Sequence, residues 1–340
     1  MPATKITELR GDGIGDELRA AVHSIADTLP IDLSFEPMDL SLPNRREKGT
    51  GLYDDVEAAM RKTRLAIKYP TVTETESPNA VLRSRLQFSV IHRPVISIQG
   101  ISSHFKEDIF LNIIRIATGG TYDDPGRLIG QDAAVSLRIV ERKPCIEAAR
   151  FAFEYARKRK LTVTSSSKHT IQRVTDGLFE STVKAVSQSY PEVSHRVELF
   201  DALLAKIILN PRDFEIVLCL NEYGDFLSDM ACGLVGSLGT GSSGTYSFAP
   251  GGEVDVAMFD PAGGTAPDIA GMDKCNPTAA LLAFGMLLDH IDRYDLGHAL
   301  RLSLLDAIAC GQSTGDIGGS MGTTEFTAEV ISRLPEHLPR

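Results

Sequence analysis

Cysteine is scarce in this 340-residue chain: the five, Cys145, Cys219, Cys232, Cys275 and Cys310, lie far apart and none sits in a CxxC spacing. That excludes a disulfide framework and a cysteine zinc site, and it implies free thiols in a reducing compartment. Positive charge is also short, since 35 Lys and Arg against 45 Asp and Glu leave a net charge of −10. A non-specific nucleic-acid binder, or a protein drawn to anionic membrane, would carry the opposite sign. A small anionic substrate is not excluded, because a local arginine cluster overrides the global field. No apolar run approaches the length of a membrane span and the N-terminal segment has no hydrophobic signal region, so the expected location is cytoplasmic. There is no internal repeat and no interdomain linker. What remains is an ordinary globular composition, 43% hydrophobic and 24% charged, long enough for two lobes or one large domain.

The stretch from Asn221 to Ala231 organises the rest. Before it, Phe214 to Leu220 is a short apolar run with β-branched members, the pattern of a buried strand. After it, Met230, Ala231, Leu234 and Val235 are spaced like one face of a helix. A helix starting near Gly224 stacks the carboxylates of Asp225 and Asp229 on one face. Such a pair suits either a solvated surface or a hard divalent cation, Mg²⁺ or Mn²⁺, which takes oxygen ligands. The position directly after a buried strand, where open α/β sheets carry their sites, shifts the balance towards the cation and leaves both readings open.

Elsewhere, Ile6 to Leu9 leads through Gly11-Asp-Gly-Ile-Gly15 into Leu18, Val22, Ile25 and Leu29 at helical spacing. Strand, glycine turn and helix suit a phosphate loop or simply a tight turn, and the spacing is not the dinucleotide fingerprint. Residues 40–52 read as loop, 64–68 as a strand and 69–77 as a polar loop. A strand is expected over Phe110 to Ile116. Arg83, Arg93 and Arg115 are placed at element ends, as a convergent polycarboxylate site or as surface residues. Residues 123–143 alternate weakly, like an exposed β arm. Lys168 stands past a strand at 161–167, as a base or as a solvated lysine, and Asp201 opens an apolar helix. Gly239 to Gly244 matches GxGxxG but follows a helix end, and is read as a flexible loop. Val254 to Phe259 reads as a strand entering the glycine-rich loop 260–271, Asn276-Pro277 caps an apolar helix, and 312–325 reads as loop. The two glycine loops, near the two ends of the chain, are expected to meet in one lobe.

In chain order, GDGIGxE, SxN…LR…RP, an arginine with a following tyrosine, a lysine after a strand, DA…NP, GDxxSD and GTAPDIAG…NP resemble the β-decarboxylating dehydrogenases, the isocitrate, isopropylmalate and homoisocitrate enzymes. The resemblance covers nearly the whole chain. It implies an α/β, isopropylmalate dehydrogenase-like two-lobed fold, not Rossmann, with a β arm for dimerisation. The outer lobe, residues 1–88 and 236–340, would carry the nucleotide loops. The inner lobe, 89–235, would carry the substrate and metal residues and the dimer interface. It also implies NAD, Mg²⁺ or Mn²⁺, a small anionic hydroxy-acid substrate and a homodimer with shared active sites. Arg83, Arg93 and Arg115 resemble the carboxylate binders, and Tyr122 the acid that protonates the enolate carbon. Lys168 resembles the lysine that takes the hydroxyl proton. Asp201, Asp225 and Asp229 resemble the metal ligands, with Lys168 and Asp201 serving the other subunit. Ile14, Gly264, Thr265, Ala266, Asp268, Ile269 and Asn276 resemble the cofactor contacts. Asp268 would hold the adenosine ribose, which favours NAD over NADP.

Substrate choice is split in the same comparison. Ser77 and Asn79 resemble the isocitrate pair that holds a third carboxylate, whereas Thr118-Gly-Gly120 resembles the isopropylmalate type. The 69–77 loop is shorter than in the isocitrate enzymes, Ile116 and Thr170 replace an expected Glu and Asn, and Gly263 replaces the histidine that packs on adenine. These departures point to a specialised member acting on a malate with an acidic C3 substituent, such as a phosphonomethyl derivative. Two alternatives are a 3-isopropylmalate dehydrogenase and a non-catalytic regulatory subunit. The second would have lost the tyrosine, the lysine or an aspartate, and all are present.

Overall fold

The computed structural model describes residues 3–105, 108–236 and 241–339. The first half of the chain forms β1 (Thr4–Arg10), α1 (Gly15–Ala26), β2 (Leu33–Asp39), α2 (Leu42–Lys48), α3 (Gly51–Thr63), β3 (Leu65–Lys68) and α4 (Pro78–Arg85). There follow β4 (Val90–Ile96), β5 (Phe110–Ile116), a short β6 (Arg127–Ile129) and β7 (Ala133–Val135), and α5 (Arg142–Arg159). The remainder is β8 (Val163–Ser167), α6 (Thr175–Ser187), β9 (His195–Leu199), α7 (Phe200–Leu209), β10 (Ile216–Cys219) and α8 (Asn221–Leu234). It closes with β11 (Ser242–Phe248), β12 (Val254–Pro261), α9 (Thr278–His290), α10 (Tyr294–Ala309) and α11 (Thr323–His337).

Ten strands form one sheet in the order β2-β1-β3-β12-β11-β4-β5-β10-β8-β9. The pairs β12–β11, β11–β4 and β4–β5 are antiparallel and the other pairs parallel. Consequently β5, β10, β8 and β9 run opposite to β1, β2, β3 and β12, which a doubly wound sheet does not do. Helices cover both faces. One core joins α1, α5, α9, α10 and α11 to the sheet, a second packs α3 and α4 beneath β1 and β3, and a third packs α7 and α8 on β5 and β10. Helix α9, TAALLAFGMLLDH, is apolar nearly all round and is correspondingly buried. The exposed pair β6–β7 is the arm expected over 123–143.

Several sequence expectations need correction. Residues 40–52 are not loop: α2 fills 42–48 and α3 begins at Gly51. The polar face of α2 (LPNRREK) buries no residue, so the apolar periodicity that would reveal it is missing. The 312–325 segment contains a short 3₁₀ turn, Gly315–Ile317, and the start of α11. Within the GxGxxG stretch, Gly239 and Thr240 lie outside the described residues. Ser242 to Gly244 belong to buried β11, not to a loop. Small polar residues hide that strand, because its place comes from ladders with β12 and β4 on both sides. Helix α8 begins at Asn221, a turn before Gly224.

Candidate active site

Arg115 is the centre of the site. It lies near the carboxyl end of β5, where its side chain is 2% exposed. Its Nε and Nη2 donate to Asn221 Oδ1 at 2.9 and 2.7 Å, and Nη1 donates to Asp225 Oδ1. Asn221 Nδ2 in turn donates to the Gly119 carbonyl at 3.0 Å, fixing the first turn of α8 against the loop after β5. Close approach requires Gly224: a Cβ there would meet Arg115 Cβ at 2.6 Å.

Arg93 reaches the same helix from the next strand. It sits in the middle of β4 and not at an element end as expected. Its Nη1 donates to Ser228 Oγ at 2.7 Å, to Asp225 Oδ1 at 3.2 Å and to Asp229 Oδ1 at 3.4 Å. Asp225 and Asp229 therefore share one helix face, turned towards the arginines. The Tyr122 hydroxyl donates to Asp225 Oδ2 at 3.1 Å, and its ring lies 5.8 Å from the Arg115 guanidinium carbon. Arg83, in the last turn of α4, has no carboxylate at ion-pair distance among the described residues, though Asp260 and Asp225 act on it electrostatically. Burial lowers the Arg83 pKa, and Arg93 lowers it further. Burial together with Arg83 and Arg93 pushes Arg115 down to about 9. Crowded, desolvated cations of this kind are stabilised by an anion with more than one carboxylate. Burial first, and then Asp225, holds the Tyr122 phenol above its usual pKa, so it keeps its proton.

The remaining substrate candidates lie beside Arg83. Ser77 precedes α4, and Asn79 shares a helix face with Arg83. The buried Oδ1 of Asn79 has no hydrogen-bond partner. The 69–77 loop is held by α2, the helix that the sequence did not reveal. Arg45 donates to Val72 O at 2.7 Å and to Asp12 Oδ2 at 3.2 Å, and Arg46 pairs with Glu74.

Lys168 and Asp201 form a second cluster. Lys168 Nζ donates to Asp201 Oδ1 at 2.6 Å, and the hydrogen bond and charge of the lysine hold the carboxyl below its usual pKa. Both side chains reach solvent, at 33% and 66% exposure. No cluster of three His, Cys, Asp or Glu placed to hold a metal occurs among the described residues. The structure thus brings Asp225 and Asp229 together and leaves Asp201 apart from them, beside Lys168. The donors are carboxylates throughout, the set that a hard cation takes.

The two glycine loops meet as expected. Ile14 N donates to Thr265 O at 3.0 Å, and Gly13, at φ +59°, lies so close that a Cβ would meet that oxygen at 1.9 Å. Asp12 accepts from Leu42 N and Val72 N at 2.7 and 2.8 Å, which ties the first loop down. Ala266 takes a positive φ of 36°, Gly264 and Asp268 are exposed, and Ile269 packs against the core. Asn276 Oδ1 accepts from Thr278 N at 2.9 Å, capping α9, while its Nδ2 donates to Asp316 at 3.0 Å. No atom lies within 4 Å of a Cβ built on Gly263. Sequence reading missed Lys68, which is buried near Arg83, and the half-buried Asp260 beside it, along with Arg138, Asp176 and Glu222. None of these carries a motif, and a lone charge gives no sign that it will be buried.

The sheet has two opposed halves, and Arg93, Arg115 and Tyr122 meet Asp225 beside its centre. The family model described as isocitrate/isopropylmalate dehydrogenase matches residues 5–330, and the chain belongs to that family. Among curated relatives, NAD isocitrate dehydrogenase subunit 2, mitochondrial, from Kluyveromyces lactis is 33% identical, over 97% of this chain and 90% of that protein. The human NAD isocitrate dehydrogenase subunit alpha, mitochondrial, is 31% identical over the same shares of the two chains. The isocitrate dehydrogenase from Methylococcus capsulatus has a solved structure that superimposes with a TM-score of 0.86 at 28% identity, covering 97% of this chain and 99% of that one.

Proposed function

We propose that this chain carries out NAD-dependent oxidative decarboxylation of a malate bearing an acidic C3 substituent. The observation that carries the reading is the gathering of Arg93, Arg115 and Tyr122 on Asp225, with Arg83 close enough to feel that carboxylate electrostatically. Guanidiniums bind carboxylates in a fork and fix the hydroxy acid by charge and direction. Lys168, as its neutral amine, takes the proton of the C2 hydroxyl through water, and Asp201 orients the ammonium that results. Tyr122 keeps its proton until the enolate carbon accepts it. Asp225 and Asp229 of one copy, with Asp201 of a second, would hold Mg²⁺ or Mn²⁺, and when bound that ion stabilises negative charge on the substrate oxygens as a Lewis acid. NAD supplies the hydride acceptor, and Ile14, Gly264, Thr265, Ala266, Asp268, Ile269 and Asn276 would hold it. Exposed Asp268, with Ile269 beside it, favours the free ribose hydroxyls of NAD over the phosphate of NADP.

The same reading makes the working unit a homodimer. Ile171 and Val174 in the segment after Lys168, Ile208 and Leu209 at the end of α7, and Phe226 on α8 are exposed apolar residues. A second copy would cover such a surface. The β6–β7 arm, with Leu128 and Ile129 exposed, would take part in the same contact. The lobe division at 1–88 with 236–340 and at 89–235 is supported by the sheet order. Strands from residues 4–68 and 242–261 fill one half and those from 90–219 the other. No described helix is long and apolar enough to cross a membrane, and all five thiols are free. A reducing compartment suits them, cytoplasmic in this reading, although the curated relatives are mitochondrial by name.

The test is turnover. Purified protein with Mg²⁺ and NAD is offered isocitrate, homoisocitrate, 3-isopropylmalate and phosphonomethylmalate, and NADH is read by absorbance. The acidic malates are expected to turn over in preference to the isopropyl compound, because Ser77 and the unpartnered Asn79 oxygen stand beside Arg83. A folded protein that turns over none of the panel refutes the enzyme reading.

A further inference from the structure

Lys168 is held by a buried group outside the site described so far. Asp176, near the start of α6, is wholly inaccessible to solvent. Its Oδ2 accepts from the Lys168 backbone N–H at 2.8 Å and from the Tyr223 hydroxyl at 3.1 Å. Its Oδ1 accepts from Arg138 Nε and Nη2 at 3.2 and 3.0 Å. Arg138 leaves the β6–β7 arm, lies 14% exposed, and also pairs with Glu222 on the first turn of α8. Its guanidinium carbon stands 5.0 Å from the centre of the Tyr223 ring. The Lys168 carbonyl is fixed as well, accepting from Ile171 N and Gln172 N at 2.9 Å.

One carboxylate therefore joins three elements: the loop carrying Lys168, the helix carrying Asp225 and Asp229, and the root of the arm. A buried charge requires this degree of pairing to exist at all, and the pairing leaves it little freedom to move. We infer that Asp176 is a positioning residue for Lys168. It sets the start of the lysine side chain and locks that start to α8, so that the two halves of the catalytic apparatus on one chain keep a fixed separation. Where a second copy completes each site, this bridge links the half-site a chain keeps to the half-site it gives away. The inference rests on the dehydrogenase reading above, with Lys168 as the residue that takes the hydroxyl proton.

The test is a double-mutant cycle with an exchange measurement beside it. Asp176→Asn, whose amide oxygen can replace only part of these donor contacts, is expected to lower kcat by ~10- to 100-fold, the scale of a small misplacement of a reacting group. KM for the malate and the metal affinity measured by titration calorimetry should stay within about twofold, since Arg83, Arg93, Arg115 and Asp225 are untouched. In a Lys168→Met background the same change should alter the residual turnover by less than about twofold, because the group it positions is gone. Hydrogen exchange of the segment around Lys168 should quicken in Asp176→Asn. If Asp176→Asn does not fold, Tyr223→Phe replaces it. That change removes one hydrogen bond and keeps the ring, and its roughly threefold loss of kcat should likewise vanish in Lys168→Met. Full multiplication of the two losses, or unchanged exchange at Lys168, overturns the inference while the enzyme reading stands. A wild-type protein inactive on every malate overturns both.

Discussion

Asp225→Asn separates the metal and substrate reading from a purely structural one. In the free protein this carboxylate takes Arg93 at 3.2 Å, Arg115 more closely, and the Tyr122 hydroxyl at 3.1 Å. Each hydrogen bond to a charged group contributes roughly 1.5–3 kcal/mol when buried, but Asp225 is 30% exposed and solvent screens it. Arg115 also keeps Asn221, and Arg93 keeps Ser228. The expected loss of stability is therefore only ~1–2 kcal/mol. At the usual unfolding entropy per residue that is about 1–3 °C in Tm for a chain of this length. The functional loss is expected to be far larger. Removing a Lewis acid worth several kcal/mol corresponds to ~10³-fold in kcat/KM. Mg²⁺ at about a hundred times its Kd stabilises the wild type by roughly 2.7 kcal/mol, or about 4 °C. That shift should be absent in Asp225→Asn. NADH formation and a thermal melt, each with and without EDTA, read both quantities. Turnover that survives the substitution together with chelation, or an undiminished Mg²⁺ shift, would refute the assignment.

Three further outcomes test the surroundings. His92 is buried on β4 with its Nε2 at 3.0 Å from Asn112 Oδ1, and burial pushes it down to about 4. A folded pKa below the unfolded value of 6.5 means that the neutral ring contributes its stability above pH 6.5 and loses it as the pH falls towards 4. The loss is about 3 kcal/mol by linkage. Urea unfolding at pH 7 and pH 4.5 should therefore show a smaller decline in His92→Gln than in the wild type. Gly224→Ala should destabilise by ~1–3 kcal/mol and raise KM for the malate, because the new methyl meets Arg115 Cβ at 2.6 Å. Helix propensity alone would instead favour alanine by up to about 1 kcal/mol, so a stabilised variant would refute the close approach. Gly263→His has open space for its Cβ. It should leave Tm unchanged and lower KM for NAD several-fold by adding a surface for the adenine, and an unchanged KM would move the cofactor away from this loop.

Much of the fold was legible where burial imposes a period. β1, β5, β10, α1 and α9 lie within a few residues of their expected places, because each buries an apolar face or is apolar throughout. The failures share one cause. Helix α2 buries nothing, and β11 opens with Ser242-Ser-Gly244, so neither shows its conformation in its own residues. β11 is a strand because β4 and β12 offer it hydrogen bonds on both edges, and Arg45 and Arg46 of α2 matter through the loop they hold. Information of this kind lies in partners distant along the chain.

The site divides in the same way. Asp225 and Asp229 could be paired from sequence because one helix sets their spacing, and Arg93 and Arg115 follow because adjacent strands carry them to that helix. Asp201 could be grouped with them only through a family resemblance, and the folded chain keeps it away from them, bound to Lys168. The two clusters are nevertheless alike in one respect. Asp229 is 68% exposed and Asp201 66%, so each presents an acidic group outward, whereas Arg115 is nearly sealed. An exposed carboxylate beside a tightly held basic group is poorly explained as an end in itself, since surface pairs contribute little to stability. It fits the proposed arrangement, in which a second copy would complete each site. Linear order cannot say which copy supplies which half. What the chain does encode is the spacing between its own two halves, through Asp176, and a dimer can reuse that spacing only if it is rigid.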